Sequence, residues 1–307
     1  MNKPRHLMNI ADLSVGELRW ILDAAKRPVS SLNKPLLGKA AALIFEKPSN
    51  RTRHSMEVAV MQLGGHPVYT RGEEVGIDVR ETAEDIAAVL AGYHGLIAAR
   101  VFRHEVVQRM AAVSPVPVVN MLSDHSHPLQ GLADALTMEQ TIGALDGKKV
   151  AWVGDYNNVA RSLAEVCVML GTEIVVAAPS GYAPDSNEIA RIDALGTGTF
   201  RAVTDPAEAA ADAVAVHTDV WVSMGQEAET AEKERVFAPY KVTRTLMAMA
   251  ARDAQFFHCL PAHRGYEVDA DVIDGPASRV VPQAHNRLHS ARGLLAFLLT
   301  DPPEVAS

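Results

Sequence analysis

Ala40-Ala41-Ala42-Leu43-Ile44-Phe45, running straight into Glu46-Lys47-Pro48-Ser49-Asn50-Arg51-Thr52-Arg53, is the stretch on which the fold turns. An apolar run of this length, bounded by a polar break and a proline, reads as a buried strand. If a helix starts after that break, its first-turn N–H groups, the Ser49 and Thr52 hydroxyls and the Arg51 guanidinium could converge on one small anion. The N–H groups at a helix start and the macrodipole both favour an anion. Arginine adds planar, two-point recognition of phosphate that lysine cannot supply. One reading of residues 49–53 is therefore a cradle for a small anion. The other is a capped surface helix with solvated arginines.

The same alternation continues in both directions. Short apolar runs at 95–99 and 116–119 predict strands in the first half of the chain. Runs at 150–153, 174–178, 200–203, 213–216 and 255–258 predict them in the second. Helical spacing lies between them, as at 159–170, where Val159, Leu163, Val166 and Leu170 share one face. Further helices are expected at about 127–140 and about 286–299, the latter strongly apolar. Strand–helix alternation on this scale predicts α/β architecture with parallel sheets flanked by helices. The segment Thr141 to Lys148, with Gly143 and Gly147, reads as a seam between two domains.

Composition narrows the function. The 307 residues are 48% hydrophobic, enough for two cores of ordinary size. A net charge of −8 argues against generic binding to nucleic acid or a membrane surface, so an anion site must be a local positive pocket. The two cysteines, Cys167 and Cys259, form no disulfide framework and suit a reduced, cytoplasmic setting. Neither a signal-peptide core nor a membrane-length apolar run is legible in the sequence. Gly154-Asp155-Tyr156-Asn157-Asn158 follows a predicted strand but lacks the glycines of a dinucleotide fingerprint at 156 and 159. His285 with His289 at i,i+4, and His125 with His127, raise a metal alternative. The i,i+4 pair lacks the glutamate that follows the first histidine in a zinc-protease helix, and the two distant cysteines form no zinc knuckle, so no metal is expected.

Other residues suggest chemistry by position. Arg100 ends a predicted strand, and a buried arginine there is costly unless an anion meets it. His127 precedes Pro128 at a predicted helix start, with Gln130 close behind. Asp219 and Cys259 lie just beyond predicted strand ends, each also compatible with an ordinary turn or core role.

Residues 45–53, His127-Pro128-Leu129-Gln130, Asp219 with Ser223-Met224-Gly225, His258-Cys259-Leu260-Pro261 and Asn286-Arg287 occur in an order that resembles the ornithine carbamoyltransferases. The likeness runs from about residue 5 to residue 300. It implies a carbamoyl-phosphate-binding domain over 1–145, joined by the C-terminal helix 286–307, and an ornithine-binding domain over 146–285, with the active site in the cleft between them. By resemblance, Ser49, Asn50, Arg51, Thr52, Arg53, Arg100, His127, Gln130, Cys259, Leu260 and Arg287 bind carbamoyl phosphate. Asn158, Asp219, Ser223 and Met224 bind L-ornithine, and Arg100, His127 and Cys259 act in catalysis. The implied reaction moves the carbamoyl group to the δ-amine, giving citrulline and phosphate, without a cofactor. A carbamoyltransferase for putrescine or an acylated ornithine, or a silent homologue, are the alternatives. The resemblance also implies a homotrimer. Two positions depart from the family pattern: Asn50 stands where threonine is commonest, and His285 where glutamate usually precedes Asn-Arg.

Overall fold

The run Ala40–Phe45 forms β1, an inner strand of a four-stranded parallel sheet ordered β2-β1-β3-β4. This is a computed structural model, and it describes residues 4–222 and 230–300. Contacts divide the chain into a first unit, Met1–Leu136 with His285–Ser307, and a second, Thr137–Ala284.

The first unit opens with α1 (Val15–Lys26), β1 and α2 (Asn50–Gln62). There follow β2 (His66–Arg71), α3 (Gly72–Val75), α4 (Ala83–Ala91), β3 (His94–Arg100), α5 (His104–Val113) and β4 (Val118–Leu122). The strand β1 is apolar throughout and β3 is apolar over residues 96–99, as expected for inner strands of a parallel sheet buried on both faces. On the edge, β2 shows partial exposure along His66-Pro67-Val68-Tyr69-Thr70-Arg71, and the sequence reading did not anticipate it. Ser49 caps α2, its hydroxyl oxygen accepting the Thr52 N–H at 3.3 Å. Phe45 pairs in register with Arg100, so β1 and β3 end level.

Helix α6 (Pro128–Ile142) begins in the first unit and ends in the second. The second unit continues with β5 (Lys149–Val153), α7 (Asn158–Met169), β6 (Glu173–Ala177), α8 (Ser186–Asp193), β7 (Thr199–Val203), α9 (Pro206–Ala210) and β8 (Ala215–Thr218). After it come α10 (Thr230–Phe237), α11 (Arg244–Met247), β9 (Gln255–His258) and α12 (Ala270–Ile273). Its five strands are all parallel, in the order β7-β6-β5-β8-β9. The Thr218 hydroxyl donates to the Val153 carbonyl at 2.6 Å, tying the ends of β8 and β5 together.

Helix α13 (Val280–Leu299) starts earlier than expected, since Pro282 is tolerated in a first turn. Its later part packs on α1 within the first unit. A Cβ on Gly293 would stand 2.5 Å from the Ile21 carbonyl oxygen and 2.9 Å from the Ala25 nitrogen. Arg292 donates to the carbonyls of Ala25 at 3.0 Å and Arg27 at 3.2 Å, satisfying the end of α1. Arg287 is thus carried on a helix docked against α1. Among the described residues no helix is long and apolar enough to cross a membrane.

Replacing Gly293 by alanine forces α13 away from α1. The expected loss is about 1–3 kcal/mol of stability, read as a lower urea midpoint at unchanged slope.

Candidate functional site

Parallel α/β sheets bind ligands at the carboxyl ends of their strands, where the strand order reverses. In the first sheet that point lies between β1 and β3. Residues 49–53 follow β1, Arg100 ends β3, and His127 lies between β4 and α6. All the candidates in the first unit therefore fall on one edge of the sheet, apart from Arg287, which arrives on α13.

His127 is buried and surrounded by positive charge. Burial first, then the guanidiniums of Arg287, Arg100 and Arg51, hold its pKa well below the usual histidine range. The imidazole is neutral at neutral pH and can donate one N–H. Three guanidiniums acting on one ring make a local concentration of positive charge in a protein of net charge −8.

A directed chain of hydrogen bonds orders this pocket. Arg287 donates from Nη2 to Thr52 Oγ1 at 2.9 Å and from Nη1 to Gln130 Oε1 at 2.8 Å. Gln130 Nε2 in turn donates to Asp134 Oδ1 at 2.7 Å. A guanidinium only donates and a carboxylate only accepts, so the Gln130 amide has one orientation. Thr52 accepts from Arg287 and keeps its own hydroxyl hydrogen for another acceptor. Thr52 is 1% exposed and Arg287 3%, so neither is a solvated surface group. The sequence reading missed Asp134, although its i,i+4 spacing from Gln130 on α6 was visible.

The structure separates the two arginines of the pentad. Arg53 pairs with Glu57 at 2.9 Å, and its guanidinium lies 3.7 Å from the centre of the Tyr69 ring. Arg51 instead acts on His127. Asn50 is exposed as the first residue of α2.

A second cluster forms in the second unit, where the order of its sheet reverses between β5 and β8. Asp219 follows β8, and Cys259 follows β9. The Cys259 thiol donates to Asp219 Oδ1 at 3.1 Å, and Asn157 Nδ2 donates to Asp219 Oδ2 at 2.9 Å. His258 holds the turn: its Nδ1 accepts the Leu260 N–H at 2.9 Å, while its Nε2 faces Glu267 Oε1 at 3.2 Å. The His258 N–H donates to Gln283 Oε1 at 2.9 Å. Leu260 takes a left-handed backbone with φ 60°, which this hydrogen bond supports. Asp219, His258 and Cys259 bring one metal-ligand type of atom each within 4.8 Å of one another. Both ring nitrogens of His258 already have partners, so the arrangement is a hydrogen-bond network as it stands. Asn158 is the first residue of α7, and Asn157 is its cap. Ser223 and Met224 lie outside the described residues.

Comparison with known proteins places the two clusters in a familiar setting. Residues 5–140 match the carbamoyl-P binding domain of aspartate/ornithine carbamoyltransferases, and residues 146–298 match the Asp/Orn binding domain. The chain is 47% identical to the ornithine carbamoyltransferase of Thermus thermophilus over 298 residues, covering 96% of this chain and 97% of that protein. It is 44% identical to the anabolic ornithine carbamoyltransferase of Pyrococcus furiosus over 303 residues, covering 96% of each. A solved structure of the Pyrococcus furiosus ornithine carbamoyltransferase superposes with a TM-score of 0.91 at 44% identity, covering 96% of this chain and 97% of that one.

A neutral His127 has a spectroscopic consequence. In the ligand-free protein its imidazole resonances should keep their neutral-form positions from about pH 8 down to about pH 5.5. A midpoint near the ordinary histidine value in an NMR titration would show that burial and the three guanidiniums do not hold the ring neutral.

Proposed function

This chain belongs to the aspartate/ornithine carbamoyltransferase family, and from that premise we propose that it transfers the carbamoyl group of carbamoyl phosphate to the δ-amine of L-ornithine. The products are L-citrulline and phosphate, a step suited to arginine biosynthesis. The observation that carries this reading is the convergence of Arg51, Arg100 and Arg287 on a neutral, buried His127. A dianionic acyl phosphate suits that charge.

The chemistry follows from the donor. Carbamoyl phosphate is already activated, so the protein has to position two substrates and stabilise the oxyanion of a tetrahedral adduct. In this reading the first turn of α2, with Ser49, Asn50, Arg51, Thr52 and Arg53, binds the phosphate and eases its departure. Arg53 would contribute mainly its charge at the edge of this site, because its side chain is held by Glu57 and Tyr69 and its backbone N–H already donates to the Ser49 carbonyl at 3.2 Å. Arg100, His127 and the Thr52 hydroxyl hydrogen would polarise the carbamoyl oxygen, and Gln130 would hold the carbamoyl nitrogen. Arg287 supports this reading by bonding both Thr52 and Gln130.

The acceptor half follows the opposite sign. Asp219 would hold the α-ammonium of ornithine, Asn158 its carboxylate, and Ser223 and Met224 would complete that contact. Cys259 and Leu260 would stand beside the reacting amine and the carbamoyl group. An alkyl ammonium of pKa about 10.4 is neutral in only roughly one part in 10³ at about pH 7. Supplying the free amine costs about 4–5 kcal/mol there. A partly desolvated site lowers that cost, and the departing phosphate can accept a proton. We also place the protein in the cytoplasm as a homotrimer, the assembly implied by its family resemblance.

Two measurements test the reading. Purified protein supplied with carbamoyl phosphate and a panel of ornithine, N-acetylornithine, putrescine and aspartate should form ureido product and phosphate with ornithine. Arg51→Ala should lower that rate roughly 10²- to 10³-fold, and wild-type protein inert towards every amine would defeat the reading. The value of kcat/KM for ornithine should climb as pH rises from about 6 to about 8, by close to tenfold per unit. A flat profile with chemistry rate-limiting would remove the deprotonation argument.

A further inference from the structure

Asn157 belongs to no motif carried over from the family resemblance, yet it sits at the centre of the second unit's cluster. Its Oδ1 accepts the N–H groups of Val159 at 2.9 Å and Ala160 at 3.0 Å, capping α7. Backbone N–H groups only donate, so that end of the amide must be the oxygen. The end-for-end ambiguity of an asparagine side chain is thereby removed. The other end is the NH2 group, and it donates to Asp219 Oδ2 at 2.9 Å. Asp219 is 8% exposed and is held from its other oxygen by the Cys259 thiol at 3.1 Å.

The peptide around Asn157 is fixed as well. Its N–H donates to the Asp155 carbonyl at 2.9 Å, which also accepts from Trp152 Nε1 at 2.9 Å. The Asp155 carboxylate pairs with the buried Lys233 at 3.0 Å. The Thr218–Val153 hydrogen bond ties the strand before Asp219 to the strand before Asn157. A carboxylate has about four lone-pair sites. Asn157 and Cys259 engage one on each oxygen, which fixes the plane of the group and leaves the remainder for a cation.

We infer that Asn157 is a positioning residue: the start of α7 sets its amide, and the amide sets the Asp219 carboxylate for an ammonium ligand. The choice of ornithine as that ligand rests on the function proposed above; the geometry between Asn157, Asp219 and Cys259 does not. The two duties of the side chain separate chemically. Aspartate caps a helix as well as asparagine does, so Asn157→Asp keeps the bonds to Val159 and Ala160. It replaces the donor facing Asp219 with a second carboxylate oxygen, and like charges at hydrogen-bond distance repel. Serine also caps but is too short to reach Asp219. Alanine loses both contacts.

The test uses the full-length protein and three variants. Asn157→Asp should keep a near-wild-type melting temperature and carbamoyl phosphate KM while its ornithine KM rises roughly ten- to a hundredfold. Asn157→Ser should show the same division, more mildly, and Asn157→Ala should lose stability in addition. A second readout does not depend on turnover. Cys167 is fully buried, so iodoacetamide should label the native protein at Cys259. An added carboxylate beside Asp219 disfavours the thiolate, so labelling of Asn157→Asp at about pH 8.5 should slow several-fold. Unchanged ornithine KM and unchanged labelling in Asn157→Asp would overturn the inference. Equal losses of stability and of both substrates in Asn157→Asp and Asn157→Ala would also overturn it, because Asn157 would then be a cap and nothing more. If wild-type protein carbamoylates no ornithine, the proposed function fails and the labelling rate alone decides: slower labelling supports the inference, and an unchanged rate ends it.

Discussion

Three guanidiniums close to one neutral imidazole are the constraint around which the first unit is built. Gathering Arg51, Arg100 and Arg287 about His127 sets like charges together in a poorly solvated place. Such an arrangement persists only if the groups are held there by bonds that do not depend on the ligand. Arg287 shows how: it donates to Thr52 and Gln130, and Gln130 is fixed by Asp134. The helix carrying it is pressed onto α1 at Gly293 and pinned by Arg292. Fold stability and site geometry therefore meet on α13. The neutrality of His127 belongs to the same argument, because a fourth positive charge there would raise the cost further.

The second unit repeats the topology with the sign inverted. Both sheets are parallel, both reverse their strand order once, and both place candidate residues on the loops at that point. In the first unit those loops bring cationic donors; in the second they bring a carboxylate, a thiol and an amide. An anionic donor and a cationic acceptor need this division of labour. The acidic balance of the whole chain gives no hint of it, since net charge averages over what each loop does separately.

Much of this was legible before any coordinates, and the gaps have physical causes. The strand at Ala40–Phe45 and the helix start that follows it were read correctly because apolar length and a polar, proline-containing break are local signals. The strand expected at 116–119 begins only at Val118, since Pro115 and Pro117 cannot donate to a ladder. The edge strand β2 went unseen because one half-exposed face and a proline leave no apolar run. Asp134 and Asn157 escaped for another reason. Their importance lies in which atoms they face, and Asn157 meets a partner 62 positions away. Asn157 is a cap by its side-chain oxygen, and a capping oxygen leaves the amide nitrogen to act elsewhere.

The two departures from the family pattern become intelligible on the same basis. Asn50 is the first residue of α2, with its side chain exposed, so what matters there is its place at the helix start. Backbone N–H groups supply the anion contacts of a first turn, and asparagine presents them as threonine does. His285 is exposed, one residue before Asn286-Arg287. If a carboxylate at that position were the main support of Arg287, its replacement by histidine would leave the guanidinium loose. Instead Arg287 is gripped by Gln130 and Thr52, which are distant in sequence and buried with it. Hydrogen bonds between buried groups hold geometry better than an exposed ion pair screened by water. The arginine can therefore keep its position while residue 285 varies, because its orientation is set from α2 and α6.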